Sequence, residues 1–128
     1  MIARHKSYLS QSSVSARQEA EENGWKVVVA KNNQLFLDLD TAEDISRFLR
    51  MWESFQKLFP EAKITKQGSS KSGVGRHIYI QLSADVPPLL QIAMQAALGS
   101  DGRKEMCSIV RVLKQDPEPI LFFESKRG

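Results

Sequence analysis

The chain has 128 residues, of which 41% are hydrophobic and 26% are charged. This length and apolar fraction predict one globular domain and exclude a disordered chain, and no apolar run reaches the roughly 18–20 residues of a membrane span. The single cysteine, Cys107, excludes an intramolecular disulfide framework, and with two histidines it gives no four-ligand zinc cluster. No apolar segment follows the basic residues near the start, so we expect no secretory signal and a cytoplasmic location.

The positive charge is unevenly distributed, although the net charge is only +3. Between residues 62 and 84 the sequence has cations and no acid: Lys63, Lys66, Lys71 and Arg76. A second basic group, diluted by acids, consists of Arg103, Lys104, Arg111 and Lys114. Basic stretches attract phosphate-bearing partners, and a solvated loop and helix face is the alternative explanation.

Local patterns in the first half of the chain predict two helices and two strands. Capping and stop signals predict a helix over 13–23. The stretches 25–30 and 34–40 read as strands, and their spacing favours a hairpin. The clearest helix covers 41–59, where apolar residues recur at three- and four-residue steps and Pro60 follows.

The second half predicts three more strands and two more helices. A weak strand over 62–66 and a strong one over 76–82 flank a loop rich in glycine, serine and lysine. Helices are expected over 89–98 and 102–113, and a last strand over 120–124.

This order of elements favours an α+β fold with a mostly antiparallel sheet and helices packed on one face, of the RRM-like or ferredoxin-like kind. Each long helix has one apolar stripe to bury, which is why the sheet is expected to have one covered face. We divide the chain into an N-terminal tail with a short helix, residues 1–24, and a single domain, residues 25–128.

Alternation along two of the strands predicts a polar sheet face. Leu35, Leu37 and Leu39 point to one side of their strand. In the strand over 76–82, the aliphatic residues of 77–82 likewise share one side. If these sides pack on the helices, the opposite side is open. The residues on that open face are Phe36, Asp38, Asp40, His77, Tyr79 and Gln81.

Two of these residues are carboxylates on the same strand face. At positions i and i+2, Asp38 and Asp40 lie about 6–7 Å apart at their Cα atoms. Like charges this close are unfavourable unless a cation lies between them, and hard oxygen ligands suit Mg²⁺ or Mn²⁺. The pair therefore indicates a divalent-metal site of the kind used in phosphoryl transfer. Two alternatives stay open: Asp40 caps the next helix with Glu43 in a capping box, or Asp38 pairs with a lysine.

The loop from Gly68 to Arg76 combines small residues with two cations, Lys71 and Arg76. Small residues let backbone amides approach an anion, so the loop predicts a phosphate site. It is not a P-loop, because no Gly-Lys-Ser/Thr opens a helix at the required spacing. A flexible hairpin loop is the alternative, and His77 alone is as well explained as a satisfied polar residue. The convergence of acids, loop and His77 at one end of a sheet face favours a functional site.

These residues resemble the archaeo-eukaryotic primase superfamily, which includes primase-polymerases and the polymerase domain of bacterial end-joining ligases. Its first motif, an apolar strand ending in Asp-x-Asp, is matched by residues 35–40. Its second, a basic Ser-Gly-rich loop leading into His-apolar-Tyr/Val on a strand, is matched by residues 71–80. One long helix and one strand separate the two motifs, as in that superfamily, and the resemblance spans residues 25–82.

The resemblance implies that Asp38 and Asp40 are catalytic metal ligands. It also implies contacts to the phosphates or sugar of an incoming nucleotide, and we assign these to the following residues: Lys71, Ser72, Gly73, Arg76 and His77. The third motif of the superfamily is an acid on a further strand. Its position on the strand 120–124 favours Glu124 as this catalytic metal ligand, and Asp101 is the alternative, which would equally well cap the helix that follows it.

Together these features predict a metal-dependent nucleotidyltransferase of primase-polymerase type, or a reduced module of one, acting in DNA replication or repair with Mg²⁺ or Mn²⁺. The expected partners are nucleoside triphosphates and DNA or RNA, whose backbone Lys63 and Lys66 would follow. A second copy of the chain or a replication protein is a further expected partner. A compact stand-alone module of this kind hints at a phage or mobile element.

Other functions use the same residues. A non-catalytic RRM-like module would stack bases on Phe36 and Tyr79, but Asp38 and Asp40 would then place negative charge beside a phosphate-rich ligand. A metal-dependent nuclease would use the same carboxylates with water as the nucleophile. A protein-interaction adaptor leaves the coincidence of acids, histidine and basic loop without an explanation.

Overall fold

The computed structural model describes residues 12–69 and 75–125 of the chain. Over these residues the fold is α+β, and the helices and strands follow the predicted order. None of the described helices is long and apolar enough to cross a membrane. The elements are α1 (Ser13–Glu22), β1 (Trp25–Val29), β2 (Gln34–Leu39), α2 (Ala42–Leu58), β3 (Lys63–Ser69), β4 (Arg76–Gln81), α3 (Pro88–Ala97), α4 (Gly102–Leu113) and β5 (Leu121–Ser125).

The strands form two antiparallel sheets. In the larger sheet the order is β2-β4-β3, and α2 connects β2 to β3, which gives the split β-α-β arrangement of ferredoxin-like folds. In the smaller sheet β1 pairs with β5, with Val27 opposite Phe123. The predicted hairpin between the first two strands is therefore wrong. Because β1 pairs with the last strand of the chain, its partner could not be read from local spacing.

The two sheets stack face to face, and a helix covers each outer side. The core between α2 and the larger sheet contains mainly aliphatic strand residues and aromatic helix residues: Leu35, Leu37, Leu39, Ile78, Ile80, Phe48 and Phe55. The core between the two sheets contains Phe36, Tyr79, Ile120 and Phe122, and Ile92 of α3 packs into the same cluster. The core between α1 and the smaller sheet contains Ala16, Ala20, Leu121 and Phe123. The layers are thus α1, the β1-β5 sheet, the β2-β4-β3 sheet and α2.

This stacking corrects the expectation of an open sheet face. Alternation correctly assigned Phe36 and Tyr79 to the face away from α2, but the smaller sheet covers that face. Phe36 and Tyr79 are only 2% and 6% exposed, and Phe122 stacks on Phe36 with ring centroids 5.0 Å apart. Neither ring is accessible to a base, so the prediction that they contact nucleic acid is wrong. The pattern showed which residues share a face but not what packs on it.

The first helix packs into the same folded unit as the strands. Ala16 and Ala20 lie against the smaller sheet, and both are buried. The segment before β5 binds the start of α1, since the Ser13 N–H and hydroxyl both donate to the Asp116 carboxylate at 2.7 and 2.6 Å. Arg17 also forms an ion pair with Glu118 at 2.6 Å. These contacts connect α1 to β5 as well as to β1.

Candidate metal centre

Three carboxylates meet where β2 ends. Asp38 is the last residue but one of β2, Asp40 follows the strand, and Asp101 precedes α4. One oxygen from each carboxylate lies within 4.8 Å of the others. Oxygen ligands at such separations match what a hard divalent cation requires, although exposed acidic groups also cluster without one.

Asp40 and Asp101 stand at the starts of two helices. The α2 cap is Thr41, whose hydroxyl accepts from the Asp44 N–H at 3.1 Å, while the Asp44 carboxylate accepts from the Thr41 N–H at 3.3 Å. Asp40 is therefore not the helix cap, and the capping box does not involve Glu43. Asp101 does cap α4, accepting from the Lys104 N–H at 3.2 Å. The positive ends of both helix dipoles favour negative charge here.

The surroundings of the Asp38 carboxyl disfavour its ionisation. Burial raises its pKa to about 8, and a hydrogen bond with Asp40 and the Asp40 charge act in the same direction. Its Oδ1 atom is buried and has no hydrogen-bond partner among the described residues. Asp101 also has a raised pKa, mainly because of burial. Within the described ranges no lysine donates a hydrogen bond to the Asp38 carboxylate, and the Lys104 charge offsets only part of the rise in its pKa, so a lysine pair does not account for Asp38. A bound cation would relieve the repulsion and give the free oxygen a partner.

His77 lies directly beside the carboxylates. It is opposite Asp38 in the β2–β4 register, and its Nε2 atom is 3.8 Å from Asp38 Oδ1. The imidazole is buried, and it stacks on Phe122 with ring centroids 3.8 Å apart and planes 10° from parallel. The structure thus brings together the acids and the histidine, as strand alternation predicted.

The end of the basic loop closes against the same site. A Cβ atom on Gly75 would lie 2.8 Å from the Leu39 carbonyl oxygen and 3.1 Å from Asp40 Oδ1, so only glycine fits. Arg76, the next residue, is exposed and pairs with Leu39 across the sheet. Of the predicted nucleotide-binding residues, Lys71, Ser72 and Gly73 lie outside the described residues.

Glu124 lies outside the group of carboxylates, contrary to the preference based on its strand. Its carboxylate binds Lys66 at 3.5 Å and Lys26 at 3.8 Å. The physical reason is that β5 pairs with β1 in the smaller sheet and does not extend the sheet that contains Asp38. Asp101, the alternative, supplies the third carboxylate. Lys66 is consequently engaged by Glu124, whereas Lys63 lies exposed on β3.

Lys104 is a residue near the site whose position sequence reasoning missed. The sequence places it in the second basic group with Arg103, Arg111 and Lys114, but its side chain is only 4% exposed, and its ammonium donates to the Phe36 carbonyl and to Glu105. It also lies 5.0 Å from the centre of the Phe122 ring. Burial lowers its pKa, while the nearby carboxylates of Glu105 and Asp38 oppose that shift. The one feature of the sequence that could have indicated its burial is the adjacent acid, Glu105. A lysine next to a glutamate is equally common on exposed helices, so this feature does not distinguish the two cases.

Comparison of the chain with protein-family models, with curated proteins and with solved structures gives no match. What the site can do chemically therefore has to be inferred from the side chains that form it. These are three clustered carboxylates, a neighbouring imidazole and an exposed guanidinium on the adjacent strand. Such a set can hold a divalent cation and an anionic ligand together.

Proposed function

We propose that this protein is a metal-dependent nucleotidyltransferase of primase-polymerase type, or a reduced module of one, that acts in the cytoplasm in DNA replication or repair. The observation that carries this proposal is the grouping of Asp38, Asp40 and Asp101 within 4.8 Å, with a buried Asp38 oxygen that has no hydrogen-bond partner in the described part of the chain. The proximity of His77 and of the end of a basic glycine-rich loop adds support. With its pKa raised to about 8, Asp38 would be mainly protonated at neutral pH without metal, and Mg²⁺ or Mn²⁺ would displace that proton.

The three aspartates would hold the metal. A divalent cation held by these residues would lower the pKa of an attacking hydroxyl and neutralise the charge of a pyrophosphate leaving group. The Asp101 carboxylate is held by the Lys104 N–H at the start of α4, and the Asp40 N–H is held by the Asp44 carboxylate at the start of α2, which would help to orient these two ligands for a metal.

The substrate would be a nucleoside triphosphate, held on the side of β4. Arg76 is exposed and has the charge to bind a phosphate, and His77 is held against Asp38 by its stacking on Phe122. We assign Lys71, Ser72 and Gly73 to the same triphosphate, on the resemblance of their segment to the second superfamily motif. A DNA or RNA strand would follow Lys63 and Lys66 on β3.

The geometry of the site argues against the RRM-like binding module but does not distinguish a nuclease from a nucleotidyltransferase. The RRM-like binding module requires exposed aromatic rings on the sheet, and Phe36 and Tyr79 are buried. A nuclease would use the same carboxylates, so it becomes an outcome of the test: hydrolysis of nucleic acid in place of nucleotide transfer.

Calorimetric titration with Mn²⁺, with and without a non-hydrolysable nucleoside triphosphate, tests the proposal. The wild type should bind metal, and bind nucleotide only when metal is present. Asp40→Asn should lose most of the metal binding, because Asp40 is exposed and the change removes one ligand charge without disturbing the core. Glu43→Gln is the matched control, since Glu43 is a neighbouring exposed acid that lies outside the group of carboxylates and pairs with Arg47 at 4.0 Å. Equal binding by wild type and Asp40→Asn would contradict the proposal.

A further inference from the structure

The outer edge of β2 has backbone groups that no strand of the described residues binds. In the β2-β4-β3 sheet β2 is an edge strand, and in antiparallel sheets alternate residues turn their N–H and C=O groups to the same edge. Here the residues that face outward are Gln34, Phe36 and Asp38. Such groups are costly to bury without partners.

Side chains from α3, α4 and the loop between them bind this edge. Gln91 donates to the Gln34 carbonyl at 2.8 Å, and Gln95 accepts from the Phe36 N–H at 2.8 Å. Lys104 donates to the Phe36 carbonyl. The two helices therefore satisfy the hydrogen bonds that a neighbouring strand would otherwise make.

The last pair of bonds on this edge binds Asp38 itself. The Asp38 N–H donates to the Ser100 hydroxyl at 2.9 Å, and the Asp101 N–H donates to the Asp38 carbonyl at 2.7 Å. Ser100 is buried, and it follows Gly99, which turns the chain with a φ of +97°. A Cβ on Gly99 would lie 3.3 Å from the Asp44 carbonyl oxygen, so this loop packs against the first turn of α2 as well.

We propose that Ser100 is a positioning residue for the metal centre: its hydroxyl fixes the backbone of Asp38, and thereby keeps the Asp38 and Asp101 carboxylates at the separation that one cation can bridge. This role rests on the proposed metal-dependent function. It assigns to Ser100 no contact with metal or substrate. Ser100 acts through the hydrogen bond that its hydroxyl accepts from the Asp38 N–H, beside the main-chain bond from the Asp101 N–H to the Asp38 carbonyl.

The test compares Ser100→Ala with a control on the same strand edge. Gln91→Met removes two hydrogen bonds, to the Lys31 and Gln34 carbonyls, at the end of β2 away from the acids. Both variants should lower the melting temperature. In Mn²⁺ titrations, Ser100→Ala should bind about ten-fold more weakly than wild type, the usual cost of losing a group that orients a ligand. Gln91→Met should bind as the wild type does.

Amide hydrogen exchange in the metal-free protein supplies a second readout. The Asp38 amide should exchange faster in Ser100→Ala and at the wild-type rate in Gln91→Met. Wild-type Mn²⁺ affinity in Ser100→Ala, or an equal loss in both variants, would overturn the positioning role while leaving the metal site intact. A wild type that binds no Mn²⁺ would instead overturn the proposed function, and the positioning role with it.

Discussion

The main-chain N–H of Asp101 donates to the main-chain carbonyl of Asp38 across 2.7 Å. This bond joins the end of a strand in the first third of the chain to the start of α4. It brings a third carboxylate beside the Asp38 and Asp40 pair, and a single residue thus caps a helix and completes the group of acids.

The assignment of Asp101 over Glu124 can be tested with two isosteric changes. Asp101→Asn keeps the helix cap, because asparagine caps as well as aspartate, but it removes the charge. It should weaken Mn²⁺ binding by about ten-fold or more, since a first-row divalent ion loses a charged oxygen ligand. Glu124→Gln should leave Mn²⁺ affinity unchanged and cost at most about 1 kcal/mol of stability, since it loses ion pairs to half-exposed lysines. Calorimetry and urea unfolding measure both effects, and the reverse pattern would restore Glu124 as the ligand.

The close approach at Gly75 predicts a steric effect on the site. Gly75→Ala would press a methyl group against the Leu39 carbonyl and the Asp40 carboxylate. We expect a loss of about 1–3 kcal/mol in the free energy of unfolding, as for other overpacked sites, together with weaker Mn²⁺ binding. Gly68→Ala is the matched control, because no atom of residues 12–69 or 75–125 lies within 4 Å of the added atom. If both variants unfold and bind Mn²⁺ alike, the contact between Gly75 and the acids has no consequence for the site.

Asp38 should make the metal-free protein less stable as the pH rises. Its pKa is about 8 in the folded protein, against 3.8 as the ordinary value, so between these values the folded state holds more protons than the unfolded state. Its contribution to stability is therefore largest below pH 4 and is lost as the pH rises to about 8. Asp38→Asn should lack this loss and be more stable than wild type at pH 8, by an amount on the order of a few kcal/mol. Urea unfolding of both proteins at pH 5 and pH 8 measures the difference, and parallel pH profiles would contradict it.

Metal binding should release the proton of Asp38. At pH 7 this carboxyl is mainly protonated, because its pKa lies near 8, and only its ionised form is a good ligand. Mn²⁺ affinity should therefore rise up to about ten-fold per pH unit between pH 6 and pH 8 and then level off. Calorimetry in two buffers of different ionisation enthalpy counts the protons released. An affinity that is constant from pH 6 to pH 8 would show that Asp38 does not bind the metal.

Local patterns in the sequence predicted the elements and half of the site. Alternation assigned Asp38 and His77 to one face of adjacent strands, and they lie opposite each other in the register. What local patterns could not predict was pairing between distant segments. The β1–β5 pairing covers Phe36 and Tyr79 and turns Glu124 away from the acids, and it depends on which apolar faces of the whole chain fit together. Lys104 is buried for the same reason: its partner carbonyl, that of Phe36, lies on a strand far away in sequence.

The most direct test of the account is nucleotide transfer itself. Labelled nucleoside triphosphates, a primed DNA template and Mn²⁺ are incubated with wild type and with the double variant Asp38→Asn/Asp40→Asn, and incorporation is measured. The account predicts incorporation by the wild type and a rate at least about 100-fold lower for the variant, because bound metal supplies several kcal/mol of transition-state stabilisation. Equal incorporation by both proteins, or none by a wild type that binds Mn²⁺, would contradict it.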